Sequence, residues 1–239
     1  MPIGVISAIP EEYTKLAWDS SPRTETIINK IFQFGTINGV EVIAAECGIG
    51  KVNAAMTTSL LLGHYNCDGI IFSGVAGGIN PKFDIGQVII AEELIQHDYG
   101  TISKNVFFNA IPGSFPGYTE DDKQVSYKMP ATMKNTIRHV LQNTADIHFG
   151  KILTGDTYVA CSTTREKLWN KFGADAVEME GAAIAQVCCN WNKPFVVIRV
   201  LSDLAGNTSH VDFDTFVDES SEKAADLTQR LLPILDAWL

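Results

Sequence analysis

The chain has 239 residues, 46% of them hydrophobic and 19% charged, enough apolar material to bury the core of one globular domain over residues 1–239. Lys and Arg number 18 against 28 Asp and Glu, a formal charge of −10, and no basic stripe gathers, which argues against a nucleic-acid or anionic-membrane partner and leaves small molecules. No apolar run reaches the length of a membrane span and no basic lead precedes Ile3, so a cytoplasmic location is expected, with Cys47, Cys67, Cys161, Cys188 and Cys189 as buried thiols.

Residues 3–8 read as a buried strand ended by Ile9-Pro10, and Pro10 suits the first turn of a helix carrying Glu11, Glu12 and Leu16. Glu12 then sits just past a strand's carboxyl end, as a first-turn acid favoured by the helix dipole or as a functional group. Lys30–Thr36 and Val40–Ala45 form a hairpin through Asn38-Gly39, adding an antiparallel pair to the sheet. Gly48-Ile49-Gly50-Lys51-Val52-Asn53 opens a helix through about Leu62; with one residue between its glycines and Val52 after Lys51 it is not a P-loop.

Gly69–Ser73 is a short buried strand running into a glycine-rich bend, Gly74-Val75-Ala76-Gly77-Gly78. Ile85–Ile95 is another strand, closed by His97-Asp98, which read as a structural pair. Residues 100–125, with Phe107, Phe108, Pro112, Phe115, Pro116 and Tyr118, form the longest irregular stretch, of a size that suits a lid or an interface. Met133–Leu141 is helical, and Ile147–Leu153 is a strand leading into Thr154-Gly155-Asp156-Thr157-Tyr158-Val159, where Tyr158 belongs either to the core or against a planar ligand.

Val177-Glu178-Met179-Glu180-Gly181-Ala182-Ala183 places two carboxylates where an apolar strand turns into a helix continued by Ile184, Val187 and Cys188. Near a helix N-terminus both can stay ionised, and Glu180 serves either as a plain cap or as a ligand group. Phe195–Leu201 is apolar except for Arg199, which needs a carboxylate partner if buried, and it ends in Ser202-Asp203. From about Asp212 to Leu235 the pattern is that of one long amphipathic helix, with His210 bracing its start. His64, His97, His139, His148 and His210 show no paired spacing, so neither a metal site nor a cofactor is expected.

Glu12, Gly48–Ala55, Gly74–Gly78, Gly155-Asp156, Val177–Glu180 and Arg199–Asp203, in this order and over nearly the whole chain, resemble the 5'-methylthioadenosine/S-adenosylhomocysteine nucleosidases of the nucleoside phosphorylase and nucleosidase superfamily. The resemblance implies a three-layer α/β/α sandwich with a mixed, partly closed central β-sheet, and a homodimer whose sites lie near the interface. It implies that Asp203 donates a proton to N7 of adenine and that Glu12 orients and deprotonates the attacking water. Glu180 would hold the ribose hydroxyls with Met179 under the sugar, Tyr158 and Val159 would contact adenine, and Ser202 and Arg199 would support the acid and the water site. Ile49, Val75, Ala76, Gly77 and Glu178 would complete the nucleoside pocket, and Phe107 and Pro112 would reach the partner's site. Val75 stands where many relatives have Ser, and Lys104 and Val106 stand where better-known relatives carry aromatics.

The chemistry asks for the same residue types. Breaking an N-glycosidic bond builds positive charge on the sugar and negative charge on the base, so a proton donor at the base and anionic surroundings at the ribose lower the barrier. Burial would raise the pKa of Asp203, and a helix N-terminus would keep Glu12 ionised. A purine nucleoside phosphorylase would need cations for phosphate, yet none of the five arginines lies near the glycine bends, and Lys51 and Lys82 are the nearest candidates. A nucleosidase for futalosine or 5'-deoxyadenosine would use the same carboxylates, whereas a non-catalytic nucleoside-binding protein would be expected to lack one of the acids.

Overall fold

Strands covered by helices on both faces are buried along their whole length and so are mostly apolar, and Ile3–Ser7 and Phe195–Asp203 are buried at every position. The computed structural model describes residues 1–110, 112, 126–142 and 144–239. In chain order the elements are β1 (Ile3–Ser7), α1 (Pro10–Tyr13), β2 (Arg23–Ile27), β3 (Lys30–Ile37), β4 (Val40–Glu46), α2 (Lys51–Gly63), β5 (Gly69–Gly78), β6 (Val88–Gln96), β7 (Gly100–Ser103) and β8 (Val106–Asn109). They continue with β9 (Tyr127–Lys128), α3 (Ala131–Leu141), β10 (Ile147–Thr154), α4 (Ser162–Phe172), β11 (Ala176–Glu178), α5 (Gly181–Asn190), β12 (Phe195–Asp203) and α6 (Ser209–Trp238).

The main sheet runs β11-β10-β6-β12-β5-β1-β4-β3-β2, with β9 against β6. It is mixed: β1 pairs in parallel with β4 and β5, and β12 with β5, while β12–β6 and β3–β4 are antiparallel. β11 also pairs with β5, setting Val177 opposite Gly77, so the sheet curls back on itself and is partly closed. Alternate side chains divide between two cores. Ile6, Phe72 and Val197 pack with Leu61 of α2 and Ile184 of α5, whereas Val5, Ile71 and Ile198 pack with Ile137 of α3 and Leu231 of α6. This is the expected three-layer sandwich.

Several local expectations shift. The helix at Pro10 ends at Tyr13, so Leu16 is buried beyond it. The glycine-rich segment after Ser73 is strand rather than bend, since β5 runs to Gly78. The strand expected from Ile85 begins at Val88, because Gly86, with φ +85°, turns the chain before it. Within the stretch expected to be irregular, β7 and β8 form a hairpin whose turn residues Lys104 and Asn105 both have positive φ; Phe115, Pro116 and Tyr118 lie outside the described residues. Asn38 and Gly39 likewise have positive φ at the predicted hairpin turn. The strand β2 and helix α4 were not anticipated. Cys47, Cys67 and Cys188 are buried thiols, but Cys161, at the start of α4, and Cys189, near the end of α5, are exposed. Among the described residues, no helix is long and apolar enough to cross a membrane.

Candidate active site

Arg199 lies in the middle of β12, fully buried, on the face that β12 shares with Phe72 of β5. Its guanidinium carbon sits 3.7 Å from the Phe72 ring centroid. Nη2 donates to Glu178 Oε2 at 2.6 Å and to Glu180 Oε2 at 3.3 Å, and Nη1 is 4.0 Å from Glu12 Oε1. The carboxylate partner required by a buried arginine is thus three carboxyl groups drawn from two strand ends.

Each carboxyl is further tied to the backbone. Glu12 accepts N–H bonds from Ala8 (2.7 Å), Ile9 (3.3 Å) and Val75 (2.9 Å). Glu178 Oε2 accepts from the N–H groups of Glu180 (3.0 Å) and Gly181 (2.7 Å), and its Oε1 from the Thr154 hydroxyl. Glu178, not Glu180, therefore satisfies the start of α5. Glu180 Oε1 instead crosses to the N–H of Gly50 at 2.7 Å.

At the end of β12 the register slips between Leu201 and Asp203, leaving Ser202 as the extra residue of a bulge. Asp203 Oδ1 accepts from Ala205 N–H at 2.8 Å, and Oδ2 accepts from the Ser202 hydroxyl at 3.1 Å. A Cβ on Gly77 would lie 3.0 Å from Asp203 Oδ1, while Glu12 is bonded at Val75. The two acids thus lie beside positions two residues apart on β5, about 7 Å along the strand.

These groups border one cavity of about 500 Å³. Of the residues expected at the site, Glu12, Ile49, Val75, Ala76, Gly77, Tyr158, Glu178, Met179, Glu180, Ser202 and Asp203 line it. Val159 borders a small recess beside it, together with Gly77 and Asp203. Arg199 lies beneath the wall. Phe107 is not brought to the cavity of its own chain: its carbonyl accepts from Lys171 Nζ at 3.0 Å; Pro112 is half-buried and also absent from the lining. Among the described residues, no group of His, Cys, Asp and Glu is arranged to hold a metal ion.

Sequence reasoning missed His210, Phe213 and Asp214, which also line the cavity. They follow i, i+3, i+4 spacing on the first turns of α6, a signal lost because the helix was expected to start near Asp212. His210 stacks on Tyr158 with ring centroids 4.8 Å apart instead of only bracing the helix. His97 and Asp98 do not pair as expected. Asp98 is taken by Lys51 at 2.6 Å, and His97 Nε2 is buried without a partner.

Burial governs the ionisation of the site. It raises the pKa of Glu12, opposed by the charge of Arg199 and by the N–H groups of Val75, Ala8 and Ile9. Burial thus works against the helix-end effect that was expected to favour the ionised form of Glu12. Burial also raises Asp203, against the N–H of Ala205 and the Ser202 hydroxyl. Glu180 is pushed up to about 8 by burial and then by the charge of Glu178, which overturns the expectation that both carboxylates stay ionised. One guanidinium cannot balance three buried carboxylates. The Tyr158 hydroxyl is pushed up to about 12 by burial and by Asp203, so it stays protonated at neutral pH.

A family model, that of the phosphorylase superfamily, matches residues 2–233. Among curated relatives, the 5'-methylthioadenosine/S-adenosylhomocysteine nucleosidase of Mycobacterium bovis is 37% identical, covering 98% of each chain. Among solved structures, the Helicobacter pylori 5'-methylthioadenosine/S-adenosylhomocysteine nucleosidase, complexed with a pyrrolopyrimidine-bearing pyrrolidinol, is similar with a TM-score of 0.88 at 26% identity, covering 98% of both chains. Helicobacter pylori futalosine hydrolase is similar with a TM-score of 0.86 at 27% identity, covering 96% of both.

Two outcomes follow from this geometry. A Cβ at Gly74 would collide with the Glu12 carboxyl and with Arg199 Nη1, so Gly74→Ala is expected to lower stability by about 1–3 kcal/mol, measured as a lower urea midpoint. An unchanged midpoint would show that the cluster can yield. Glu180, with a folded-state pKa of about 8 against 4.5 when unperturbed, keeps its proton in the native state at pH values where the unfolded chain has lost it. Its stabilising contribution is complete below 4.5 and disappears as pH rises to about 8. Across that window the unfolding free energy of the wild type, read from urea titrations, should fall relative to that of Glu180→Gln by no more than about 1.4 kcal/mol per pH unit; parallel curves would contradict the assignment.

Proposed function

The chain belongs to the phosphorylase superfamily and, within it, to the 5'-methylthioadenosine/S-adenosylhomocysteine nucleosidases, which are N-glycosidic hydrolases, and from this premise we propose that it releases adenine from 5'-methylthioadenosine and S-adenosylhomocysteine. The observation that carries the reading is the pair of buried acids bordering one cavity, Glu12 bonded to the Val75 N–H of β5 and Asp203 lying beside Gly77 of the same strand.

Asp203, whose pKa burial raises, gives a proton to N7 of adenine as the glycosidic electrons move onto the base. Glu12 takes a proton from water as that water adds to the anomeric carbon, and its own raised pKa strengthens it as a base. Glu180, fixed by Gly50 and Arg199, retains lone pairs for the ribose hydroxyls, and Met179 packs beneath the sugar. Tyr158 stacks on adenine and Val159 meets its edge. Ile49, Val75, Ala76, Gly77 and Glu178 shape the remaining walls, with Glu178 acting through Arg199 and the start of α5. Water replaces phosphate as nucleophile because the described lining contains no lysine or arginine, and Lys51 is already engaged by Asp98 and Asp156.

The likeness to futalosine hydrolase supplies the second reading. A futalosine-type substrate would call on the same two acids, and comparing its specificity constant with that of 5'-methylthioadenosine separates the readings. The reading extends to a cytoplasmic enzyme of nucleoside catabolism and methionine salvage, consistent with five free cysteines. It extends also to a homodimer in which Phe107 and Pro112 of one copy complete the other's cavity. The exposed apolar side chains Ile49, Val52, Ile102 and Val106 support such a covered face.

Purified protein in phosphate-free buffer should release adenine from 5'-methylthioadenosine. Asp203→Asn and Glu12→Gln should each lose about 10²–10⁴ in kcat with folding intact by circular dichroism. Turnover that required phosphate would overturn the hydrolytic reading.

A further inference from the structure

Three segments that carry no catalytic acid meet at the rim of the cavity. The turn Gly48–Gly50 brings Ile49 to the wall and offers the N–H of Gly50 to Glu180, with positive φ at both glycines. Asp98 follows the end of β6. Asp156 lies two residues before Tyr158, on the loop after β10.

Lys51 joins all three. Its backbone N–H donates to Asp156 Oδ1 at 2.9 Å, and its ammonium donates to Asp98 Oδ1 at 2.6 Å and lies 3.5 Å from Asp156 Oδ2. The N–H of Asp156 donates in turn to Asp98 Oδ2 at 2.8 Å. The Lys51 side chain is 17% exposed and that of Asp98 28%, so this is not a freely solvated surface pair. Although burial opposes it, the bonds from Lys51 and from the Asp156 N–H hold the Asp98 carboxyl below its usual range.

We propose that Lys51 is a positioning residue for substrate binding, a clamp whose ammonium locks the Ile49–Gly50 turn to the Tyr158 loop through Asp98 and Asp156. The identity of the substrate rests on the nucleosidase reading; the clamp itself does not. Without the ammonium, Asp98 and Asp156 become two like charges on adjoining segments. Repulsion then separates the wall that carries Ile49 from the loop that carries Tyr158 and loosens the Gly50–Glu180 bond. Asp203 and Glu12 are held by β5, β12 and the Ala8–Ile9 backbone, none of which belongs to this network, so the chemical step is spared while binding weakens.

The test compares full-length wild type with Lys51→Met, Lys51→Arg, Asp98→Asn and the double variant Lys51→Met/Asp98→Asn. For 5'-methylthioadenosine cleavage, Lys51→Met should raise KM about tenfold, the equivalent of one charge-assisted hydrogen bond. Its kcat should stay within about threefold of wild type, the pattern of lost ground-state binding. Lys51→Arg should restore most of the KM, and the double variant should be no worse than Lys51→Met alone. Amide hydrogen exchange at Gly50 and Asp156, which needs no substrate, should quicken in Lys51→Met but not in Lys51→Arg. Unchanged KM in an active wild-type background, Lys51→Arg as impaired as Lys51→Met, or unchanged exchange would each overturn the clamp. Absence of adenine release by the wild type would instead defeat the nucleosidase reading, leaving the exchange result to decide on the clamp.

Discussion

The structure depends on one buried guanidinium. Arg199 stands in a strand with no access to water, and its neighbours are arranged to compensate its charge. Phe72 covers its face, Glu178 and Glu180 take Nη2, and Glu12 closes on Nη1. Burying four ionisable groups together costs several kcal/mol per ion before their attraction offsets it, so such a cluster is weak evidence for stability and better evidence for function. Its consequence is local: with one positive charge available, Glu180 retains its proton to about pH 8.

From that hub the sheet distributes the groups. β12 carries Arg199 in its middle and, through the bulge at Ser202, Asp203 at its end. β11 bends back onto β5, bringing Glu178 to the same side. β5 has no side chain at Gly74, where the Glu12 carboxyl and the guanidinium need the space, and none at Gly77, beside Asp203. Fixed backbone donors hold both acids in place: Ala8, Ile9 and Val75 for Glu12, Ala205 for Asp203.

Much of this was legible in the residues. An arginine inside an apolar run demanded a buried acid, and two carboxylates at a strand-to-helix junction supplied it. Asn38-Gly39 announced its hairpin because only a few residue types tolerate positive φ. The order of six short motifs gave the family, which no single motif could. What stayed hidden depends on tertiary contacts. The polar β2, Arg23–Ile27, has no apolar alternation to reveal it and exists because β3 offers an edge. The glycine-rich residues 74–78 read as a bend, yet form strand because neighbours on both sides supply the hydrogen bonds. The roles of Glu178 and Glu180 could not be separated by sequence, since both sit near a helix start and only the fold shows which meets Gly50. His210, Phe213 and Asp214 were missed through a helix boundary placed three residues late, at Asp212 instead of Ser209.

The central claim is that burial and the charge of Glu178, only partly offset by Arg199, hold Glu180 protonated at neutral pH. Infrared difference spectroscopy between pH 6 and pH 9, on wild type and Glu180→Gln, reads this directly through the carbonyl stretch of a buried carboxylic acid. The account requires a band in the wild type that is lost as pH rises through about 8 and is missing from the variant. A wild-type spectrum indistinguishable from that of Glu180→Gln across this range would contradict it.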